Sequence, residues 1–428
     1  MKLLSTYKEF ILEKNNSNID SNLILEGGAA GHMMHPFDDR NLTFDDFRKF
    51  IDAGLQGEMT FDEEPTEKTD GQNVFATVKD GKVLFARNKG QLKSPLTLGG
   101  ITDMFKNHAS ELVRDTFTFA AQDLANSLSK LSKEDQEKYF DNGNNFMNME
   151  LIYSKNPNVI NYDRDVIQFH GIKITDGDGN ITGEMGSSSA KEISNLLDKV
   201  EAKVGKVFTI IPPQVLKLRK DVSFDDNTKY FMNKVDALQN KYNLNGADEV
   251  SRYHEMRWRE EIKKSFPGLE SNVAEGLLQR WGYNNKSALP FTAMKKLVDE
   301  NGMKDIKEYD KIAGMKYKEN IRPFEDLFLE LGSVVLKNAA NFVAASPDAE
   351  MQRLHNQIRT EAGKIKRGDN LTQIAKVEAE LARLDRIGGI ESIIPTEGLV
   401  FKYKGKIYKL TGTFAAINQL MGIIKYGN

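Results

Sequence analysis

The 428-residue chain predicts an α+β architecture with antiparallel sheets, split in sequence by a large helical insertion. Three observations carry this. Strand patterns punctuated by tight-turn residues fill much of 72–87 and 145–175, and they return at 397–412. Between about 187 and 387, apolar residues recur at helical spacing within a charged background. No repeat of solenoid period runs through the chain.

The elements follow in order. Residues 1–13 read as a short amphipathic helix, "NNSNIDSN" as a polar linker and "EGGAAGHMMHPFDD" as a glycine-rich loop. In "TFDDFRKFIDAGLQG" Thr43 is a natural N-cap, and Phe44, Phe47, Phe50 and Ile51 share a helix face. Residues 72–87 form a hairpin, because Asp80-Gly81 tolerates the positive φ that a two-residue turn requires. Residues 101–140 are helical in character, and "NFMNMELIYS" and "DVIQFHGIKIT" are strands. "PFEDLFLELGSVVLKNAANFVAA" reads as a helix with Pro323 in its first turn. "LTQIAKVEAELARLDRI" places Leu371, Ile374, Val377, Leu381, Leu384 and Ile387 at helical spacing before Gly388-Gly389. The expected division is 1–42 as an N-terminal segment, 43–186 and 389–428 as one split domain, and 187–388 as the insertion.

Composition excludes several classes. Hydrophobic content of 39% and charged content of 28% suit ordinary folded cores. With 59 basic and 62 acidic residues the net charge is −3, so a nucleic-acid surface must be local. There is no cysteine, which removes disulfides, thiolate catalysis and cysteine-ligated zinc. No apolar run of spanning length points to a membrane. The first residues include acids and lack a long apolar core, unlike a secretory signal.

The chemistry gathers around "EKTDGQNVFATVKDGKVLFARNKG". Lys68 precedes Asp70-Gly71, and antiparallel pairing carries Arg87 back toward the start of the hairpin. Glu150 sits in an otherwise apolar strand, where an isolated carboxylate is costly. Glu397 opens another apolar strand, and Lys402 and Lys409 flank its Lys404-Gly405 turn. This set suits attack by a neutral lysine amine on a nucleotide α-phosphate, with pyrophosphate leaving. Desolvation and neighbouring cations are expected to lower the pKa of that lysine. Other cations would bind phosphate, and the carboxylates a hard divalent ion such as Mg²⁺ or Mn²⁺.

These residues resemble the covalent nucleotidyltransferases: ATP-dependent DNA ligases, RNA ligases and capping enzymes. Lys68-Thr69-Asp70-Gly71 matches the lysine motif, Arg87 and Gly90 the next, and Glu150 the acidic strand. "VIQFHGI" loosely matches the aromatic strand through Phe169, and Glu397 to Lys402 closely matches the Glu-Gly-x-Val-x-Lys motif. The final lysine-x-lysine motif is matched by Lys409 alone, because Thr411 stands where the second lysine is expected. The likeness covers roughly residues 60–175 and 390–428, and is nearest to phage RNA ligases of the tRNA-repair type.

The resemblance implies a ligase-type adenylation domain using ATP and a divalent metal. Lys68 would be the adenylated nucleophile, assisted by Lys402 and Lys409 at the α-phosphate. Glu67 and Phe169 would contact the adenine, Arg87 the phosphate or ribose, and Glu150 the ribose. Asp70 and Gly71 complete the nucleotide-binding motif. Glu397, with Glu150, would hold the metal. The short tail after Lys409 leaves no room for an OB-fold and favours RNA over nicked DNA. A virion or scaffold protein that kept the fold but lost catalysis is a third reading, supported by Thr411.

Three further motifs carry two readings each. "SRYHEMRWREE" clusters Arg252, Tyr253, His254, Arg257, Trp258 and Arg259, either to stack and bind RNA or as an amphipathic helix anchored by Trp258. His32 and His35 have a spacing compatible with metal but no third ligand, which favours a structural or capping role. Ile11-Leu12-Glu13 and Ile24-Leu25-Glu26 resemble sites cut by phage prohead proteases. Residues 1–26 would then be a capsid-packaging segment, and the enzyme would act in the host cytoplasm. A flexible N-terminal helix and linker is the plainer reading.

Overall fold

The computed structural model describes residues 33–157, 160, 162–185, 190–201, 207–340, 356, 377, 379–383, 396–412 and 415. The N-terminal helix, the glycine-rich run, His32 and both Ile-x-Glu sites lie outside the described residues. In chain order the main elements begin with α1 (Phe44–Gln56), β1 (Thr66–Lys68), β2 (Gln72–Lys79) and β3 (Lys82–Ala86). They continue through α2 (Leu98–Phe105), α3 (Glu111–Leu128), β4 (Asn145–Ile152), β5 (Val166–Thr175), β6 (Ile181–Glu184), α4 (Ala190–Glu201) and β7 (Thr209–Ile211). Four helices follow: α5 (Phe224–Asn240), α6 (Val250–Ser265), α7 (Ser271–Leu277) and α8 (Glu300–Lys337). The hairpin β8 (Gly398–Tyr403) and β9 (Lys406–Leu410) comes last.

The chain mixes helices with largely antiparallel sheets and divides into two units. The strand-bearing unit holds residues 56–221 and 329–428. The helical unit holds 34–55 and 222–328. These boundaries differ from the expected ones in two places. Helix α1 belongs with the helical unit, where Phe44 and Phe47 pack on Phe324. Residues 187–221 belong with the strands: Leu196, Leu197 and Val200 of α4 enter the sheet core, and β7 pairs parallel with β5.

In the strand unit one sheet runs β3-β2-β4-β5-β6, with β7 beside β5, and a second runs β1-β8-β9. The two tight turns have the backbone their residues allow, with positive φ at Asp80-Gly81 and at Lys404-Gly405. One face of the larger sheet buries Val74, Met147, Met149, Leu151, Ile167 and Phe169 against helices α2 and α3, through Ile101, Phe117 and Leu124. Each such side chain contributes roughly 1.5–3 kcal/mol of burial. The opposite face of the same strands carries Asn73, Asn148, Glu150 and Gln168.

In the helical unit Thr43 caps α1 in a reciprocal box with Asp46. Pro323 lies inside α8, which begins at Glu300, and not in a first turn. Buried Met303, Ile306 and Ala313 before the proline, and Phe324, Leu327 and Phe328 after it, keep the helix continuous. That packing offsets the missing backbone donor, a cost of about 3 kcal/mol. Within 371–387, only Val377 and residues 379–383 are described, and they are helical. Among the described residues no helix is long and apolar enough to cross a membrane.

Candidate active site

Strand β1 positions Lys68. It pairs antiparallel with β8, so that Lys68 lies opposite Gly398 and one residue from Glu397. Gly398 is required there: a Cβ would stand 2.4 Å from the Leu410 carbonyl oxygen. Lys68 Nζ forms an ion pair with Glu397 Oε2, and both side chains are mostly buried. Residues more than 300 positions apart in sequence therefore meet at one amine.

The turn after Lys68 is tied to the other sheet. Thr69 Oγ1 donates to Glu150 Oε2 (2.8 Å), and the Gly71 N–H donates to Glu150 Oε1 (2.9 Å). Gly71 has no space for a side chain, since a Cβ would approach Glu150 Cγ to 2.6 Å. The Asp70 N–H donates to the Tyr162 hydroxyl (2.8 Å), and the Asp70 carboxylate accepts from the Ile160 N–H (2.9 Å). Tyr162 is held neutral against the pull of the Asp70 N–H: burial, then the Asp70 charge, push its phenol well above the ordinary range.

His170 completes the cluster, with Nε2 3.0 Å from Glu150 Oε2. The β4–β5 ladder explains how it gets there. Asn148 pairs with Gly171 and Met149 with Phe169, so His170 is the extra residue of a bulge. Alternation from Gln168 already puts His170 on the face of Glu150, and the bulge shifts the phase of the residues that follow it. Gly171, at φ +149° and crowded by Glu184, marks the irregularity in the sequence.

Burial acts on the charges first, and bonding then decides. For Lys68, desolvation pulls the ammonium down, but the Glu397 and Glu150 carboxylates outweigh it and hold the pKa above its ordinary value. The expected depression by neighbouring cations does not occur in this state, because the groups acting on the amine are carboxylates. Glu397 is raised by burial and by Asp70 and Glu150, against the pull of Lys68. In a cluster with one lysine among three carboxylates, the net negative field favours a proton on both partners. Glu150 goes the other way: burial would raise it, but His170, Lys68 and Thr69 hold it below the usual carboxylate value.

The other expected residues divide. Cross-strand register places Lys68, Lys402 and Lys409 on one face of the β1-β8-β9 sheet. Lys402 Nζ is engaged by Glu63 Oε1 at 2.8 Å. Arg87 lies beside β2, with Nε donating to the Asn73 carbonyl (3.1 Å) and the guanidinium 4.5 Å from the Phe117 ring centroid. Burial pulls its pKa below the ordinary arginine value. Two expectations fail on strand alternation. Glu67 points to the opposite face from Lys68, paired with buried Leu399. Phe169 is 1% exposed within the hydrophobic core, and the ring that reaches Glu150 is His170. Thr411 is buried against Gly398 and against α8, where Gly332 lets the helix approach the Thr411 carbonyl.

Sequence reasoning missed Thr69, Tyr162, Gln168 and His170. Alternation was the usable signal for the last two: on β4 and β5 the residues out of phase with Met149 and Ile167 face Glu150. The "SRYHEMRWREE" segment resolves as the anchored helix. Tyr253, His254 and Trp258 are buried, while Arg252, Arg257 and Arg259 pair with Asp248, Glu260 and Glu255. His35 stacks on Phe37 and caps a short helical turn. Among the described residues no three metal-ligating side chains cluster, and the cavity beside Asp70, Gly71 and Tyr162 is about 10 Å³, enough for about one water. No protein-family model matches the chain, and no curated protein matches it in sequence.

Proposed function

We propose that the strand unit is an ATP-dependent nucleotidyltransferase of the polynucleotide-ligase kind, acting on RNA ends. One observation carries the reading. The amine of Lys68 meets Glu397 across β1–β8, while its neighbours Thr69 and Gly71 bind Glu150 of the other sheet. A structural ion pair needs no such convergence on a single lysine.

In the first step the Nζ lone pair attacks the α-phosphorus of ATP. The N–P bond forms, the bond from that phosphorus to the bridging oxygen breaks, and pyrophosphate leaves with its electrons. The ammonium must first lose a proton, and the Glu397 carboxylate, raised by burial, is the nearest acceptor. Lys402 and Lys409 share the face of Lys68 and would meet the phosphates once Lys402 leaves Glu63. Glu150, fixed by Thr69, Gly71 and His170, is preorganised for a ribose hydroxyl. AMP then passes from Lys68 to a 5′-phosphate, and attack by a 3′-hydroxyl expels AMP and joins the strand.

The donor set fits a divalent ion that arrives with the nucleotide better than a resident one. Glu150 and Glu397 offer two carboxylates, which suffices for Mg²⁺ or Mn²⁺ sharing phosphate oxygens and waters. Bound there, the ion would supply positive charge at the triphosphate. The cavity of about 10 Å³ at Asp70 is far too small for ATP, so this reading requires the site to open on binding.

A reading without catalysis draws on Thr411, buried where the resemblance places a lysine. Incubation with ATP, Mg²⁺ and either a broken 5′-phosphorylated RNA stem-loop or a nicked DNA duplex separates the possibilities. Sealing of the RNA is expected. Sealing of the DNA alone would transfer the reading to DNA, and sealing of neither would remove the ligase activity.

A further inference from the structure

Gln168 is the feature of this face that the chemistry above leaves unused. It lies directly across from Glu150 in the β4–β5 ladder, so the two side chains share a face. It is wholly buried, and neither its Nε2 nor its Oε1 has a hydrogen-bond partner. Buried amides are ordinarily satisfied, and an orphan of this kind calls for a ligand or an ordered water. On the other flank of Glu150, Asn73 Oδ1 is likewise buried without a partner, although its amide nitrogen is bonded to Asn148. A carboxylate with its bonds largely made thus stands between two amides with bonds to offer.

The surroundings narrow the ligand. Along the strands from Glu150 and Gln168 the same face becomes apolar, with Ile152, Ile160, Tyr162 and Val166 clustered and Ile211 packed beside them. A flat, largely apolar group with one donor and one acceptor on its edge matches an amide at the rim of such a wall. A purine base has that form, and a glutamine amide pairs in bidentate fashion with an adenine edge. Neighbouring strands are about 5 Å apart, so a sugar at Glu150 brings its base within reach of Gln168.

We propose that Gln168 is the specificity residue of the nucleotide site, its amide accepting from the 6-amino group of adenine and donating to the adjacent ring nitrogen. This rests on the nucleotidyl-transfer reading, and the test keeps the two apart. The rate of adduct formation on Lys68 is followed by intact mass for ATP, GTP and the purine riboside triphosphate that lacks the 6-amino group. It is measured in the wild type and in Gln168→Met. The wild type should prefer ATP over both analogues by about tenfold or more, the discrimination expected of a bidentate amide. In Gln168→Met that preference should fall to near unity, and because each ratio is taken within one protein, loss of folded material cancels.

An adduct on Lys68 with the same preference in both proteins overturns the role of Gln168 alone, leaving a buried water as its partner. No adduct with any nucleotide overturns the nucleotidyl-transfer reading and this inference with it. Should Gln168→Met fail to fold, the wild-type analogue series still decides, since equal rates with ATP and the unsubstituted purine contradict the proposal. Gln168→Glu, which keeps an acceptor and loses the donor when ionised, should retain part of the preference.

Discussion

Each unit of the molecule buries an ion pair, and the two pairs are built differently. In the helical unit the Arg280 guanidinium grips Asp310 in bidentate fashion, at 2.7 and 3.1 Å, and Trp281 Nε1 adds a third bond at 2.8 Å. Burial would raise the Asp310 carboxyl, but these three donors hold it below the usual range. In the strand unit Lys68 offers Glu397 a single ammonium, and both partners are pushed toward the protonated form. The first pair is saturated, and its geometry suits holding helices together. The second is one cation among three carboxylates, and an incoming cation would offset its excess negative charge. Such an unsaturated buried pair is a candidate for a binding site, as the proposed function takes it to be.

The contrast breaks most readily in the helical unit. Asp310→Ala should cost about 3 kcal/mol in chemical denaturation, because it strands the buried Arg280 charge. A loss below about 1 kcal/mol would mean that the saturated pair is dispensable.

Acid provides the next test, again in the helical unit. His254 is 2% exposed between the Tyr253 and Phe324 rings, and burial, then the Arg40 charge, lower its pKa from 6.5 to about 3. Between those values the unfolded chain holds a proton that the folded chain lacks. Stability therefore falls as pH drops from 6.5 toward 3, by about 2 kcal/mol at pH 5. His254→Phe should flatten this part of the denaturation profile, and an unchanged pH slope would place the acid lability elsewhere.

Smaller stability effects are expected at the strand-unit pair. Glu397→Gln should change stability by less than about 1 kcal/mol, since burial already disfavours the carboxylate and Lys68 keeps Glu150 and Asp70 nearby. The same variant should bring the Lys68 pKa down, so that an amine-acylating reagent at pH 8 modifies Lys68 faster than in the wild type, as read by peptide mass. Equal reactivity would show that Glu397 does not hold the proton. Smallest of all, Arg252→Ala should shift stability by no more than about 0.5 kcal/mol, as the Arg252 side chain in its pair with Asp248 is largely exposed.

The sequence made the strands legible wherever turn chemistry and alternation agreed. Asp80-Gly81 and Lys404-Gly405 announced both hairpins, Glu150 and Glu397 stood out as charges in apolar strands, and Lys68 was marked by its place before Asp70-Gly71. The unit boundaries were less legible because helix α1 declares its apolar face but not its partner, which turned out to include Phe324 of α8. Pro323 misled because local propensity ends a helix where tertiary burial continues it. Phe169 misled because aromatic character says nothing of which face a strand residue takes, and alternation from Gln168 puts Phe169 in the core and His170 on the side of Glu150. The lysine's pKa direction was unreadable for a similar reason: its sign depends on which charges the fold sets beside it.

The central claim is that Lys68 becomes covalently charged with a nucleotide. Incubation with α-labelled ATP and Mg²⁺ or Mn²⁺, followed by denaturing electrophoresis, tests it directly. The account predicts label on the wild-type chain, its release by acid as expected of a phosphoramidate, and none on Lys68→Ala. Label that persists in Lys68→Ala, or a wild type that stays unlabelled with either metal, would contradict it.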